Sequence, residues 1–302
     1  LPAGLRCPAA LPRSAPMDST FLTDRAAITV GTVFYAAGLL YGCLSLLLRR
    51  RHSRIGGYAL MALGWLVQTY GLVLRSQATH SCPIGNKFEV LQFVAWSCTL
   101  LYLFLGPVFR TSLFGFFSAG MAVLLGVLSL AVPAWDAAAR ARPFGNDPVV
   151  AFHASLALFS YGVLALLALT SLMYLLQHRN LRRKRLDGPF SLLPSIVELD
   201  HINLRLLAVG VALLAIALGV AVVHWHGDRD AVVPAKFAAT VAVWLCYAVA
   251  LAQRLRQRCI AQRFAWVGLL LFLAPLLSLW IVNAPRRTPA APVTEPASER
   301  AP

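Results

Sequence analysis

The sequence predicts an all-α protein, a polytopic membrane helical bundle of eight transmembrane helices with both termini outside. Three observations predict it. Hydrophobic residues make up 59% of the 302 and charged residues only 13%, whereas a soluble chain carries about 25% charged residues to face water. Mean hydropathy is +0.69. Eight long apolar runs, 27–48, 56–74, 88–106, 112–132, 149–176, 206–223, 237–253 and 264–282, hold a single Asp, Glu, Lys or Arg side chain between them, that of Glu89. A bilayer-spanning helix needs ~20 apolar residues, so each run qualifies, 237–253 at the short limit.

Taken in order, residues 1–26 form an N-terminal tail. Its first sixteen residues are rich in Pro and Ala and precede Met17, a candidate start, so 1–16 read as upstream sequence. The run 27–48 is too long for a signal-peptide core and is followed by Arg49–Arg51, the wrong flank for one. It reads as a retained anchor helix, with Gly31, Ala36, Gly38 and Gly42 offering a small-residue face for close packing. The second run returns the chain outward. Glu89 sits one residue inside the third run, where pairing with Lys87 or Arg75 is the stronger expectation and contact with a ligand the weaker. Pro107 and Arg110 close a short cytoplasmic turn into the fourth run. The fifth run is the longest and contains His153. The sixth ends at an outer loop, 224–236, and the eighth contains Pro275, an expected kink. Residues 285–302 are Pro- and Ala-rich and expected to be disordered. Internal repeats and a large soluble domain are absent from this pattern, so 27–284 is expected to form one transmembrane domain.

The net charge of +15 follows the membrane rather than a nucleic acid. The connections 49–55, 107–111, 177–205 and 254–263 hold fifteen Lys and Arg, against six in 75–87, 133–148 and 224–236. Positive loops stay cytoplasmic, which puts both termini outside and the chain in the cell inner (plasma) membrane as a multi-pass protein. The basic side faces the lipid bilayer's anionic headgroups, and no aromatic–basic surface suggests nucleic-acid binding.

Cys43, Cys98 and Cys246 lie in apolar runs as small hydrophobes, and Cys259 is cytoplasmic. Cys7 and Cys82 are both outside and free to pair, but CxxC and CxxCH do not occur. Of seven histidines, His52, His178 and His201 sit among cytoplasmic charges, and His80, His224 and His226 lie in outer loops. His153 alone is inside a span, five residues into its run and so roughly 6 Å below the outer boundary. Its residues leave two readings open: a functional intramembrane imidazole, or a neutral ring bonded to Ser155 or an outer-loop carbonyl.

At the same depth, the loop HWHGDRDAVVPAK offers His224, Trp225 and His226 with the charges Asp228, Arg229, Asp230 and Lys236. Two opposed imidazoles hold a haem iron while aromatic rings pack on its faces. Arg229, Lys236, Arg140 and Arg142 are on the correct side for propionates, and Glu89 is a further polar contact. Zinc needs three or four ligands at fixed spacing, for which a His-x-His pair is weak support. A solvated connector is the plain alternative for this loop.

Residues 150–180, VAFHASLALFSYGVLALLALTSLMYLLQHRN, resemble the cytochrome c assembly membrane protein family, which includes CcsA/ResC, CcmC and HemX/YpjD-type proteins. His153, Ser160, Tyr161, Tyr174 and Leu175 fit its helix with an outer-face His. Asn86, Glu89 and Trp96 resemble an earlier outer-face helix. The stretch through Trp225, Asp230, Pro234, Lys236, Trp244, Tyr247 and Val282–Asn283 resembles the family's C-terminal end. The resemblance covers roughly 27–284. Haem-handling members carry WGxWWxWD followed by Pro-Lys-Glu, and a second outer histidine after the last helix. This chain keeps only Trp225 of that aromatic set and has Asn283–Arg287 in the later place. It is thus closest to the compact HemX/YpjD-type branch.

The resemblance implies a membrane protein of cytochrome c assembly or haem handling, with haem at the periplasmic face held by His153 and other cytochrome c assembly proteins as partners. No catalytic constellation appears, so an enzyme is not expected. A cofactor-free HemX-like regulatory or structural protein is the alternative. A small-solute transporter, which would place polar groups along a path and often show repeats, fits less well.

Overall fold

The computed structural model describes residues 19–48, 54–79, 82–109, 112–137, 148–184, 195–227, 234–258 and 260–273. These residues form helices and no strand: α1 Ser19–Leu47, α2 Arg54–Thr79, α3 Lys87–Phe109, α4 Ser112–Ala131, α5 Ala134–Ala137, α6 Pro148–Arg182, α7 Ile196–Gly227, α8 Pro234–Leu255 and α9 Ala261–Leu271. Seven are long and apolar enough to cross a membrane: Thr23–Ser45, Ile55–Ala78, Lys87–Gly106, Phe114–Ala131, Val149–Arg182, Ile196–His224 and Phe237–Leu255. The protein is therefore a helical membrane bundle, as its apolar runs predict. Of the eighth run, 264–273 is described, mostly as α9, and its remainder, including Pro275, lies outside the described residues. So do the tail 1–18, Arg110 and Cys259.

Several helices outrun the apolar runs that announce them. α1 begins at Ser19 and takes in Asp24 and Arg25, assigned to the tail by sequence. α7 begins ten residues ahead of its run and continues through His224, Trp225 and His226, which the sequence places in a loop. α3 continues through Pro107 to Phe109. The reason is physical: hydropathy measures hydrocarbon thickness, whereas i→i−4 hydrogen bonding persists wherever charged side chains find water or one another.

α1 packs antiparallel on α2 at a distance only glycine permits. A Cβ on Gly31 would lie 3.1 Å from the Gly64 carbonyl oxygen, and one on Gly64 would lie 2.7 Å from the Tyr35 ring. Gly38 lies over Met61, and Gly42 over Phe116 of α4. Ala36, expected on the same face, is exposed instead. α1 and α3 also pack on α4, and α3 packs on α6, joining this half of the bundle to α6–α9. α6 is the central strut. Val163 through Leu167 are fully buried, while α8 packs chiefly on α7 at the periphery.

A buried chain of side-chain hydrogen bonds laces α1–α4. The Tyr35 hydroxyl donates to Gln68 Oε1 at 2.7 Å. Gln68 Nε2 donates to Gln92 Oε1 at 2.6 Å and to the Gln92 carbonyl at 3.1 Å. Gln92 Nε2 donates to Ser129 Oγ at 2.6 Å, whose hydroxyl donates to the Gly126 carbonyl at 2.7 Å. Interhelical bonds of this kind contribute about 1 kcal/mol each in membranes. Gln92→Leu is expected to lower stability by about 1–3 kcal/mol, because it deprives Gln68 and Ser129 of partners together. Thermal unfolding in detergent, followed by tryptophan fluorescence, checks this, and an unchanged midpoint would count against it.

Candidate functional site at the His153 end

The starts of α1, α3, α6 and α8 and the ends of α2, α4 and α7 share one end of the bundle, and the candidate residues gather there. The start of α3 is built by its own sequence. Asn86 Oδ1 accepts from the Glu89 backbone N–H at 2.8 Å, capping the helix, while Glu89 Oε2 accepts from the Gly85 N–H at 2.6 Å. This reciprocal bonding satisfies donors that a helix start leaves open.

The other Glu89 oxygen meets Arg75. Arg75 Nε donates to Glu89 Oε1 at 2.7 Å, Nη1 to Asp24 Oδ2 at 3.3 Å, and Nη2 to Asp136 Oδ1. Arg25 Nη1 donates to Asp136 Oδ2 at 3.2 Å, and its Nη2 lies 3.4 Å from the Leu130 carbonyl. The Phe88 ring lies under both guanidiniums, 4.8 Å from Arg75 and 5.8 Å from Arg25. Asp24, Arg75, Glu89 and Asp136 are all buried, and Arg25 is half-buried. One cationic fork thus gathers carboxylates from α1, α3 and α5. Of the two partners expected for Glu89, the structure supplies Arg75. The sequence reading missed Asp24, Arg25 and Asp136. Their available signal was opposite charge at span ends that must meet in an antiparallel bundle.

His153 is half-buried on α6, five residues after its start. Its Nδ1 lies 2.7 Å from the Ala217 carbonyl of α7. A carbonyl only accepts, so Nδ1 carries the hydrogen, and in the neutral ring the lone pair is on Nε2. The expected partner Ser155 is engaged elsewhere: it donates to the Ala151 carbonyl at 2.8 Å and lies 3.3 Å from Cys82 Sγ. Exposed Phe152 adjoins the imidazole in sequence.

His224 is half-buried on the last turns of α7, seven residues beyond Ala217. Seven residues are two helical turns, so positions 217 and 224 share a face but stand about 10 Å apart along the axis. Position 226 is two residues on and falls on the opposite side of α7. The helix therefore puts positions 224 and 226 on opposite sides, where the sequence reading places them in one loop. Trp225, His226 and Lys236 are in the helices, with side chains outside the description, and Arg140, Arg142, Arg229 and Cys7 lie outside the described residues. Among the described residues no three His, Cys, Asp or Glu side chains form a group able to hold a metal ion.

The residues that carry the family-like pattern have structural places. Trp96 Nε1 donates to Thr69 Oγ1 at 2.8 Å and its ring stacks on Trp65, with centroids 5.6 Å apart. Ser160, Tyr161 and Tyr174 are buried on α6, and Trp244 Nε1 donates to the Val211 carbonyl at 3.2 Å.

The family described as cytochrome c assembly protein matches residues 84–288. A protein HemX of Brevibacillus brevis is 28% identical over 250 residues, covering 82% of this chain and 92% of that protein. A protein HemX of Bacillus subtilis is 25% identical over 197 residues, covering 65% and 71%. A cytochrome c biogenesis protein CcsA of Parasynechococcus marenigrum is 32% identical over 122 residues, covering 40% of each.

Proposed function

The chain belongs to the cytochrome c assembly protein family as a HemX-like member, and from that premise we propose that it handles haem at the outer, periplasmic face of the inner membrane, with His153 as an axial ligand. The observation carrying this reading is the 2.7 Å bond from His153 Nδ1 to the Ala217 carbonyl. Metal-bound imidazoles direct their second N–H to a carbonyl or carboxylate, which fixes the ring and raises the basicity of the ligating nitrogen. The donor set fits haem iron through His153 Nε2. Haem bound there supplies an iron centre whose potential depends on its axial ligands and on burial.

His224 is the proposed second ligand, since its position shares the Ala217 face. His226, on the opposite side of α7, is the weaker choice. Trp225 is proposed to pack on the macrocycle, with Arg229, Lys236, Arg140 and Arg142 near its carboxylates. Glu89 has no such role in this proposal, because both its oxygens already accept hydrogen bonds. The topology that goes with it has eight spans, 264–282 completing the last, both termini outside and 27–284 as one domain. Other cytochrome c assembly proteins are the proposed partners, and the protein acts without being an enzyme.

A visible absorption spectrum of the detergent-purified protein with added haem tests the reading. A Soret band is expected for the wild type and its loss for His153→Ala, with a shifted band for His224→Ala. A wild type that binds no haem would sink it. The second reading, a cofactor-free regulatory or structural protein, is favoured by the carboxylates around Arg75, which meet guanidiniums rather than an open site. It expects His153→Ala to support cytochrome c assembly as well as the wild type does.

A further inference from the structure

The end of the bundle opposite His153 carries a polar set that the haem reading does not use. Thr170 Oγ1 of α6 donates to Asn203 Oδ1 of α7 at 2.5 Å, fixing the register of the two helices. At four-residue spacing along α6 come Tyr174 and His178, whose rings stack 6.2 Å apart at 9°. On α7, Asp200 lies three residues before Asn203, on the same ridge. Its Oδ2 accepts from Arg254 of α8, and Arg254 lies 5.6 Å over the Phe264 ring of α9. Helical side chains lean toward the start of their own helix. Because α6 and α7 run antiparallel, His178 and Asp200 lean toward each other.

Among the described residues, eight buried side-chain nitrogen or oxygen atoms have no hydrogen-bond partner, and three of them, His178 Nε2, Asp200 Oδ1 and Asn203 Nδ2, belong to this set on α6 and α7. Asn203 is almost completely buried, at 1% exposure. An orphaned buried group is costly, so three along one helix pair call for a partner. Asp200 Oδ1 needs a donor and Asn203 Nδ2 needs an acceptor, a demand that one ion of either sign does not meet. The Arg254 guanidinium on the same carboxylate opposes a cation, and Asp200 itself opposes an anion. Water donates and accepts, and buried water makes about three such bonds.

We propose that ordered water occupies this corner, held by Asp200 Oδ1, Asn203 Nδ2 and His178 Nε2 as a hydrated inlet from the arginine-rich end. The inlet runs about 12 Å along α6, from His178 to Thr170. It stops at the fully buried segment Val163–Leu167, whose side chains offer water nothing to bond. A dry apolar layer separates this hydrated site from His153.

Radiolytic hydroxyl-radical footprinting of the full chain in detergent, read by mass spectrometry, tests this. Bound water oxidises the side chain it touches even where bulk solvent does not reach. Tyr174, 4% exposed, is expected to be oxidised several-fold faster than Tyr35, 1% exposed with its hydroxyl on Gln68. Asn203→Leu is expected to bring Tyr174 down to the Tyr35 rate. That substitution leaves Thr170 its acceptors on Leu166 and Leu167, at 3.0 and 3.1 Å, and so strands no donor. His178→Phe keeps a ring against Tyr174 while removing Nε2, and serves where Asn203→Leu does not accumulate. Tyr174 as protected as Tyr35 in the wild type would overturn the inlet. So would a Tyr174 rate that neither variant changes.

Discussion

Arg75→Gln is expected to destabilise the protein by about 3–5 kcal/mol, the cost of removing one partner from a buried charge cluster. The guanidinium spends its three nitrogens on three carboxylates from three helices, and its own side chain is only 4% exposed. Without it, Asp24 and Glu89 lose the guanidinium they share, and among the described residues Asp136 keeps Arg25. The measurement is the thermal midpoint and monodispersity of the detergent-purified variant. Arg25→Gln, with a side chain 29% exposed, is the control and should cost about 1 kcal/mol or less. Adding Glu89→Gln to Arg75→Gln should recover part of the loss by removing a stranded charge. Equal midpoints for Arg75→Gln and Arg25→Gln would refute the central role given to Arg75.

The second large effect is expected at Gly71. A Cβ there would lie 2.8 Å from Ile28 Cγ1, 3.0 Å from the Asp24 carbonyl oxygen and 3.1 Å from the Ile28 nitrogen. Two of these atoms are backbone, so a rotamer change does not relieve the clash and α1 must move off α2. Overpacking costs typically about 1–3 kcal/mol and more when the neighbours are rigid. Gly71→Val also pulls Asp24 from Arg75, so its effect should be much less than additive with Arg75→Gln. Full additivity in the double variant would show that the glycine contact and the charge cluster act independently. Gly219, with nothing within 4 Å of a built Cβ, is the matched position where substitution should be tolerated.

Much of the bundle is legible in the sequence because lipid imposes one simple rule: spans are apolar and helical. The seven spans follow from it, and Arg75 is one of the two partners, with Lys87, that the sequence offers Glu89 at adjoining helix ends. Asp24 was not legible, because an apolar run stops at the first charge while the helix does not. The same limit hid the polar opening turns of α7, from Glu198 to Arg205, and set His224 and His226 in a loop. Residues two apart can converge in a loop but diverge on a helix, so one boundary error changes which of them can serve the site. The bond from His153 to Ala217 was out of reach for another reason. A backbone carbonyl leaves no residue type to read.

The charge cluster at the His153 end also bears on what counts as a unit of this chain. The family match begins at residue 84, past α2, yet both arginines that neutralise Glu89 and Asp136 precede it, on α1 and α2. A fragment cut at that boundary would inherit two acids and neither base. The first two helices are therefore not an accessory placed ahead of a self-sufficient core. They are its counter-ions, and recombining this segment between relatives should succeed only where α1, α2 and the start of α3 travel together.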